Sequence, residues 1–203
     1  GWRRFAVSEV AAGVSPSNRR VVALDVGTGT GDFLPILRQQ LPGAVVVGAD
    51  FSLPMMRAGR SKAGALHGAG GYVAGDGVCL PFGDNTFDVV TTGFTMRNVA
   101  DLHAALREMR RVARPGTRLA CLEVAQPAHP VLRFLHRLYF NRLVPIIGAV
   151  VGGNRQAYTY LPQSAERFPP PDELCDLLRA AGWRHPRYRL LGFGAVAVHT
   201  AEK

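Results

Sequence analysis

The sequence predicts an α/β fold: one mostly parallel sheet with helices on both faces. Three observations predict it. Short apolar runs alternate with stretches whose apolar residues recur at helical spacing. The first apolar run ends in a glycine-rich turn, Gly27 to Gly31. The second ends in an acidic residue, Asp50. Strands and helices in alternation pack as a parallel sheet covered on both sides, and such sheets bind ligands at the carboxyl ends of their strands.

The elements follow in order. Val21–Val26 is a short apolar strand. Phe33, Ile36, Leu37 and Leu41 mark a helix over 33–41. Ala44–Ala49 is a second strand, and 54–63 a second helix. Tyr72–Ala74 and Phe87–Thr92 are the next strands, with Asp88 expected to fix the start of its strand. Leu102–Ala113 is a helix with Asp101 as N-cap and an apolar stripe of Leu102, Ala105, Leu106, Met109 and Val112. Pro115-Gly116 ends it, and Arg118–Val124 is a strand. A long apolar stretch with interspersed arginines occupies 131–151. Asp172 is the expected cap of a helix whose stripe is Leu174, Leu177, Leu178 and Ala181, ended by Gly182. Strands near Arg187–Leu191 and Ala195–His199 close the chain.

With 203 residues the chain fits a single domain with a full core. A hydrophobic content of 47% with 19% charged residues fits a globular protein. The net charge of +9 points to an anionic partner, and composition does not choose among nucleic acid, membrane and small ligand. Cys79, Cys121 and Cys175 are odd in number and isolated, so no disulfide framework is implied. No close metal-ligand spacing occurs, and no metal is expected. There is no signal peptide and no apolar stretch long enough to span a bilayer, which sets a reducing, cytoplasmic-type compartment as the expectation. The chain enters "GWRRF" without a methionine, so residues are expected to be missing from its N-terminus.

"LDVGTGTGD", Leu24 to Asp32, spaces its glycines as GxGxG. They permit a tight turn and close backbone approach to a ligand, while the next helix offers its N-terminal amides. A dinucleotide fingerprint wants a third glycine where Asp32 stands. An acid there suits a ligand that is cationic or neutral at that point, and S-adenosylmethionine, with its ammonium and sulfonium, fits. Asp50 lies about twenty residues after the loop, where an acid accepts hydrogen bonds from ribose hydroxyls. Asp76 ends a third strand and is placed to meet an adenine amine, with the Gly77 amide beside it. Each feature alone has an ordinary reading as a turn, a cap or a helix N-terminal acid. Their order and spacing together carry the site.

The chain resembles the ubiquinone/menaquinone biosynthesis C-methyltransferase family of class I S-adenosylmethionine-dependent enzymes. The resemblance runs through "LDVGTGTGD", "GADFSLPMM", "LPFGDNTFD", "MRNVADLHAALREMRRVARPG", "YTYLPQSAERFP" and "GAVAVHTAEK". It implies a Rossmann-like sheet of about seven mostly parallel strands with the last antiparallel. It implies one methyltransferase domain over 1–203, with a substrate-covering insertion over 127–170 and an absent N-terminal lid. Asp25, Gly27, Thr28, Gly29, Thr30, Gly31, Asp50, Phe51, Asp76, Gly77 and Gly93 are the implied contacts to S-adenosylmethionine, released as S-adenosylhomocysteine. Met96, Tyr158, Tyr160 and Ser164 are the implied substrate contacts. The family usually has a small hydroxyl residue where Gly93 stands, and the serine two places after Glu123 is Ala125 here.

The implied reaction is methyl transfer to a ring carbon of a polyprenylated quinol, demethylmenaquinol first and a ubiquinone precursor second. It requires in-line approach, exclusion of water and an electron-rich carbon. Arg97 is the expected stabiliser of a ring phenolate, Asn98 the group orienting a water or ring oxygen, and His199 the second choice of base. The alternative roles are an Arg97 ion pair with a carboxylate such as Asp101, and a structural His199. The role of Glu123 stays open. Leu132, Leu135, Leu138 and Leu143 among basic residues suit either a lid over an isoprenoid tail or a contact with an anionic membrane. A prokaryotic enzyme at the inner face of the cytoplasmic membrane is the expected setting. A homodimer is compatible with the chain, and no nucleic acid is expected. A nucleic-acid methyltransferase would rest on charge alone, and a non-catalytic scaffold on binding without turnover.

Overall fold

The computed structural model describes residues 1–14, 19–60, 70–125 and 168–203. Seven strands form one sheet: β1 (Val22–Val26), β2 (Val45–Asp50), β3 (Gly70–Ala74), β4 (Phe87–Gly93), β5 (Ala113–Val124), β6 (Arg184–Leu191) and β7 (Val196–Glu202). Their order is β3-β2-β1-β4-β5-β7-β6. Strand β7 is antiparallel to both β5 and β6, and the pairs from β3 to β5 are all parallel. The chain builds outward from β1 to β3 on one side, then crosses to β4 and builds the other. The two directions part between β1 and β4, where an open α/β sheet forms its ligand crevice.

The described helices are α1 (Trp2–Ala11), α2 (Leu34–Gln40), α3 (Leu53–Arg60), α4 (Leu102–Val112) and α5 (Pro171–Ala180). Helices α1 and α2 bury Ala6, Val7, Val10, Leu34 and Leu37 against Ala23, Val46, Val89, Ala120 and Leu122. Helices α4 and α5 bury Leu106, Met109, Leu174 and Leu178 against Leu24, Val90, Leu119 and Cys121. Successive residues of one strand therefore feed opposite cores. That is why the central strands read as unbroken apolar runs rather than as an alternation. Asp88 ties three elements together at the amino end of β4. Its carboxylate accepts from the Val22 amide at 2.9 Å and from the guanidinium groups of Arg19 and Arg114.

Four details depart from the sequence expectation. Helix α1 carries no strong sequence signal, because its cap, Gly1, makes no side-chain hydrogen bond. Strand β5 begins at Ala113 rather than Arg118, since Ala113 already pairs with Phe87 across a bulge in the β4–β5 ladder. The cap of α5 is Pro170, not Asp172: Pro171 opens the helix, where a missing amide does no harm, and Asp172 sits inside the first turn. Strand β6 extends back to Arg184, and β7 forward to Glu202. The insertion expected over 127–170 lies, up to residue 167, outside the described residues.

Asp101 does cap α4, accepting the Ala104 amide at 2.9 Å. Asp101→Ala is expected to lower the free energy of unfolding by about 1 kcal/mol, read from urea denaturation.

Candidate active site at the carboxyl end of the sheet

The turn after β1 holds Gly27, Gly29 and Gly31 at φ of 67°, 55° and 80°, in the left-handed region. Gly27 is sterically required. A Cβ there would lie 2.0 Å from the Thr95 methyl carbon, and the Thr95 hydroxyl donates to the Gly27 carbonyl at 2.9 Å. The loops after β1 and β4 thus touch across the crevice. The amides of Gly27 and Thr28 donate to the Ala49 carbonyl at 2.8 and 3.0 Å, which fixes the turn to β2. Asp50, buried, accepts from the Gly29 amide at 2.7 Å through Oδ2 and from the Ser52 amide at 2.8 Å through Oδ1. Each oxygen keeps a lone pair for a further donor.

Asp25 is 1% exposed beneath this turn and accepts the Thr91 hydroxyl at 2.8 Å. Burial pushes its carboxyl up to about 7, opposed by hydrogen bonds from Thr28 and Thr91. Thr30 receives the Tyr72 hydroxyl on its carbonyl at 3.3 Å. At the next strand end, the Gly75 amide donates to the Asp50 carbonyl at 3.0 Å, and Asp76, exposed, accepts the Val78 amide at 3.1 Å. A Cβ on Gly77 would rest 3.6 Å from Val26, so this residue lies against the end of β1. Phe51 is 80% exposed immediately after β2, an aromatic face open at the rim of the crevice.

Gly93 has no room for the hydroxyl residue usual at its position. A Cβ would fall 2.4 Å from the Phe33 ring, which fills that space. Arg3 of α1 pairs with Asp32 at 3.2 Å and stands over the rings of Phe33 and Phe94. The N-terminal helix is thereby fastened to the glycine turn.

The chain after β4 folds as a 3-10 turn, Met96–Asn98, drawn onto β5 by the Phe94 amide, which donates to the Leu122 carbonyl at 2.8 Å. Arg97 pairs with Glu123, not Asp101: the Nη1–Oε2 distance is 2.9 Å, with side chains 7% and 1% exposed. Asp101 is occupied as a cap, and β-pairing brings Glu123 to the end of β5 beside the turn. Glu123 is the functional candidate that sequence reading left without a role; its place at a strand end was the available signal. Among the described residues, buried Glu123 Oε1 and Arg97 Nε find no hydrogen-bond partner. Burial raises the Glu123 carboxyl above the ordinary range, against the opposing pull of Arg97. Arg97 also lies over the Phe94 ring, 5.6 Å from its centroid.

Asn98 is exposed on the same turn. Met96, expected at the substrate, points into the core with Leu24, Val26 and Leu106, because the 3-10 turn rotates it inward. His199 is buried on β7 opposite Cys121, with its Nε2 3.0 Å from the Pro171 carbonyl. A carbonyl only accepts, so Nε2 carries the proton and Nδ1 is bare. Burial lowers the ring to about 4. His199 lies two residues down the β5–β7 ladder from the level of Glu123, about 7 Å along the strands. Tyr158, Tyr160 and Ser164 lie outside the described residues.

A crest of glycine amides, strand-end carboxylates and an exposed aromatic ring on a seven-stranded sheet with one antiparallel strand is the architecture of a class I methyltransferase. Solved structures share it: YcgJ of Bacillus subtilis superposes with a TM-score of 0.66 at 16% identity, covering 98% of each chain. An S-adenosylmethionine-dependent methyltransferase of Aquifex aeolicus gives 0.62 at 20% identity, covering 96% of this chain and 97% of that one. Relatives in sequence are nearer. The demethylmenaquinone methyltransferase of Roseiflexus castenholzii is 55% identical over 203 residues, all of this chain and 82% of that protein. Those of Deinococcus radiodurans and Thermus thermophilus are 45% and 43% identical, over all of this chain and 82% and 89% of theirs. The model of the ubiE/COQ5 methyltransferase family matches residues 1–203.

The protein is therefore an S-adenosylmethionine-dependent methyltransferase. It belongs to the ubiE/COQ5 methyltransferase family.

Asp25 gives this site a pH signature. The folded chain holds a proton on Asp25 up to about pH 7, whereas an unfolded aspartate releases it near its ordinary value of 3.8. Stability contributed by this residue therefore falls as pH rises through that window. Asp25→Asn abolishes the titration. In urea denaturation the variant should gain on the wild type between about pH 4 and about pH 7. A stability difference independent of pH would contradict the buried protonated carboxyl.

Proposed function

We propose that this chain transfers the methyl group of S-adenosylmethionine to a ring carbon of a polyprenylated quinol, demethylmenaquinol. The observation that carries the reading is 55% identity, over every residue of the chain, to a protein named for that reaction. The described geometry fits the donor. Two carboxylates with free lone pairs, Asp25 and Asp50, suit an ammonium and a ribose diol, and the glycine turn leaves the approach open. When bound, S-adenosylmethionine supplies an electrophilic methyl carbon on a sulfonium.

In this reading Asp50 accepts the ribose hydroxyls beside its two amide contacts, and Asp76 with the Gly77 amide meets the adenine edge. Phe51 covers the adenine face. Gly27, Thr28, Gly29, Thr30 and Gly31 border the methionine portion, with Asp25 beneath its ammonium. Gly93 and the Phe33 ring wall the crevice between donor and acceptor. Arg97 stabilises negative charge on the ring oxygen next to the carbon to be methylated, and Asn98 orients that oxygen from the open side of the turn. His199 fastens the start of α5 to β7 behind this pair. No metal takes part in this scheme.

The basic net charge suits an anionic membrane surface, where a polyprenylated substrate resides. Among the described residues no helix is long and apolar enough to cross a membrane. Peripheral contact at the inner face of a bacterial cytoplasmic membrane follows from the substrate.

Incubation with methyl-labelled S-adenosylmethionine and membranes containing demethylated quinols, with bulk RNA as competitor, tests the reading. Label is expected in the extracted quinone; label in RNA, or none anywhere with cofactor binding intact, would contradict it. Arg97→Ala would strand a buried carboxylate, so Arg97→Lys is the cleaner variant. It keeps a charge on Glu123 and loses the planar fork. Its kcat is expected to fall about a hundredfold while the dissociation constant for S-adenosylhomocysteine, from calorimetry, stays within about threefold.

A further inference from the structure

We propose that Glu123 is the proton acceptor of the reaction: its Oε1 takes the proton of the ring hydroxyl while Arg97 holds the carboxylate and then the phenolate. The inference rests on the quinol C-methyltransferase reading and names a catalytic residue within it.

Position comes first. Glu123 stands at the carboxyl end of β5, beside the β4 loop that borders the glycine turn through Thr95. Its Oε2 is fully used, accepting from Arg97 Nη1 at 2.9 Å and from the Val124 amide at 3.2 Å. Among the described residues its Oε1 is buried and has no partner. Arg97 Nε is likewise buried and open. Buried polar atoms are nearly always satisfied, and one left open leaves an uncompensated desolvation penalty. Here an acceptor and a donor are both left open on a single ion pair at the mouth of the site. A hydroxyl that gives up its proton to Oε1 removes the first deficiency.

Charge favours this route. The pair is neutral as a unit, one guanidinium against one carboxylate. Moving the proton from ring hydroxyl to Glu123 moves the negative charge from the carboxylate to the ring oxygen, and the total stays at zero. Arg97 faces one anion before and one anion after. A base outside the pair would instead leave Glu123 charged beside a second anion, with one arginine between two negative groups in a dry site. His199 is poorer on its own terms: Nε2 is engaged by Pro171, and burial keeps the ring neutral by weakening it as a base.

Few titratable groups face Glu123 among the described residues. Arg97 comes from the 3-10 turn, Cys121 lies on the same face of β5, and His199 stands opposite Cys121 on β7. Burial pushes the Cys121 thiol well up, so it stays neutral. Arg97 is the charge that sets the carboxylate. The desolvation that raises the Glu123 carboxyl makes it a stronger base than an exposed glutamate.

The balance closes. The hydroxyl O–H bond breaks with its electron pair left on oxygen, and a new O–H bond forms at Oε1. The adjacent ring carbon takes the methyl group as the donor carbon–sulfur bond breaks toward sulfur. That carbon then loses its own hydrogen to solvent as a proton, the ring regains aromaticity, and Glu123 returns its proton to the ring oxygen. One methyl group enters, one proton leaves, and the carboxylate is restored.

Glu123→Gln keeps shape and an oxygen for Arg97 but accepts no proton. At neutral pH its kcat should fall at least about a hundredfold, with S-adenosylhomocysteine affinity by calorimetry within about threefold of wild type. Its residual rate should climb about tenfold per pH unit as the hydroxyl ionises in solvent. Glu123→Asp retains a carboxyl group and should run at least about tenfold faster than Glu123→Gln. Difference infrared titration of the ligand-free protein should show one carboxyl, absent from Glu123→Gln, protonating above the ordinary range. A Glu123→Gln enzyme with kcat within about threefold of wild type and the same pH profile would overturn the assignment, as would equal rates for the two variants. Wild-type turnover is the control: no methyl transfer to quinol by the unmodified chain overturns the functional reading and this inference with it, whereas a fast Glu123→Gln overturns this inference alone.

Discussion

Thr95 donates its hydroxyl to the Gly27 carbonyl at 2.9 Å, and its methyl lies where a Cβ on residue 27 would stand. Much of the site follows from that contact. It holds the loop after β4 against the turn after β1, at the switch in strand order between those two strands. The turn can then send the amides of Gly27 and Thr28 to the Ala49 carbonyl and that of Gly29 to Asp50, and leave Asp25 sealed beneath. On the other side, the same loop continues into Phe94 and the 3-10 turn, whose link to Leu122 delivers Arg97 to the end of β5. Donor side and acceptor side are two ends of one short loop. A side chain larger than hydrogen at residue 27 would push both apart.

The electrostatics divide in the same way. Around the glycine turn Asp25 is buried and raised to about 7, and Asp50 is pinned by two amides. Such a site is short of positive charge, which is what an ammonium and sulfonium ligand brings. On the acceptor side a buried arginine and glutamate neutralise each other. A buried pair of this kind contributes little net stability, because desolvation of both ions offsets their attraction.

Much of the architecture was legible in the sequence. The stripe of α4 and its Asp101 cap, the apolar runs of β1, β2 and β4, and the Gly27–Asp32 turn all rest on local periodicity or on residues with narrow conformational preferences. What escaped was non-local. Helix α1 has no capping side chain, and its buried face, Ala6, Val7 and Val10, acquires meaning only against β5 and α2. Asp172 is a good cap by type, yet Pro171 beside it is a better first residue, and the backbone follows the proline. The pairing of Arg97 with Glu123 spans 26 residues and exists only because β4 and β5 are neighbours. Asp101, nearer in sequence, had been committed to its helix. The Phe33 ring filling the space at Gly93 is equally non-local.

Amide chemical-shift mapping during titration with S-adenosylhomocysteine tests the central claim most directly, that the carboxyl ends of β1, β2 and β4 form one ligand crest joined through Gly27 and Thr95. The account predicts saturable shifts concentrated on Gly27, Gly29, Gly31, Asp50, Asp76 and Gly93, with β6 and the amino ends of the strands unmoved. Shifts centred instead on the cavity of about 520 Å³ along α4, lined by Arg107, Glu108, Arg110 and Lys203, would contradict it, as would no response at any concentration.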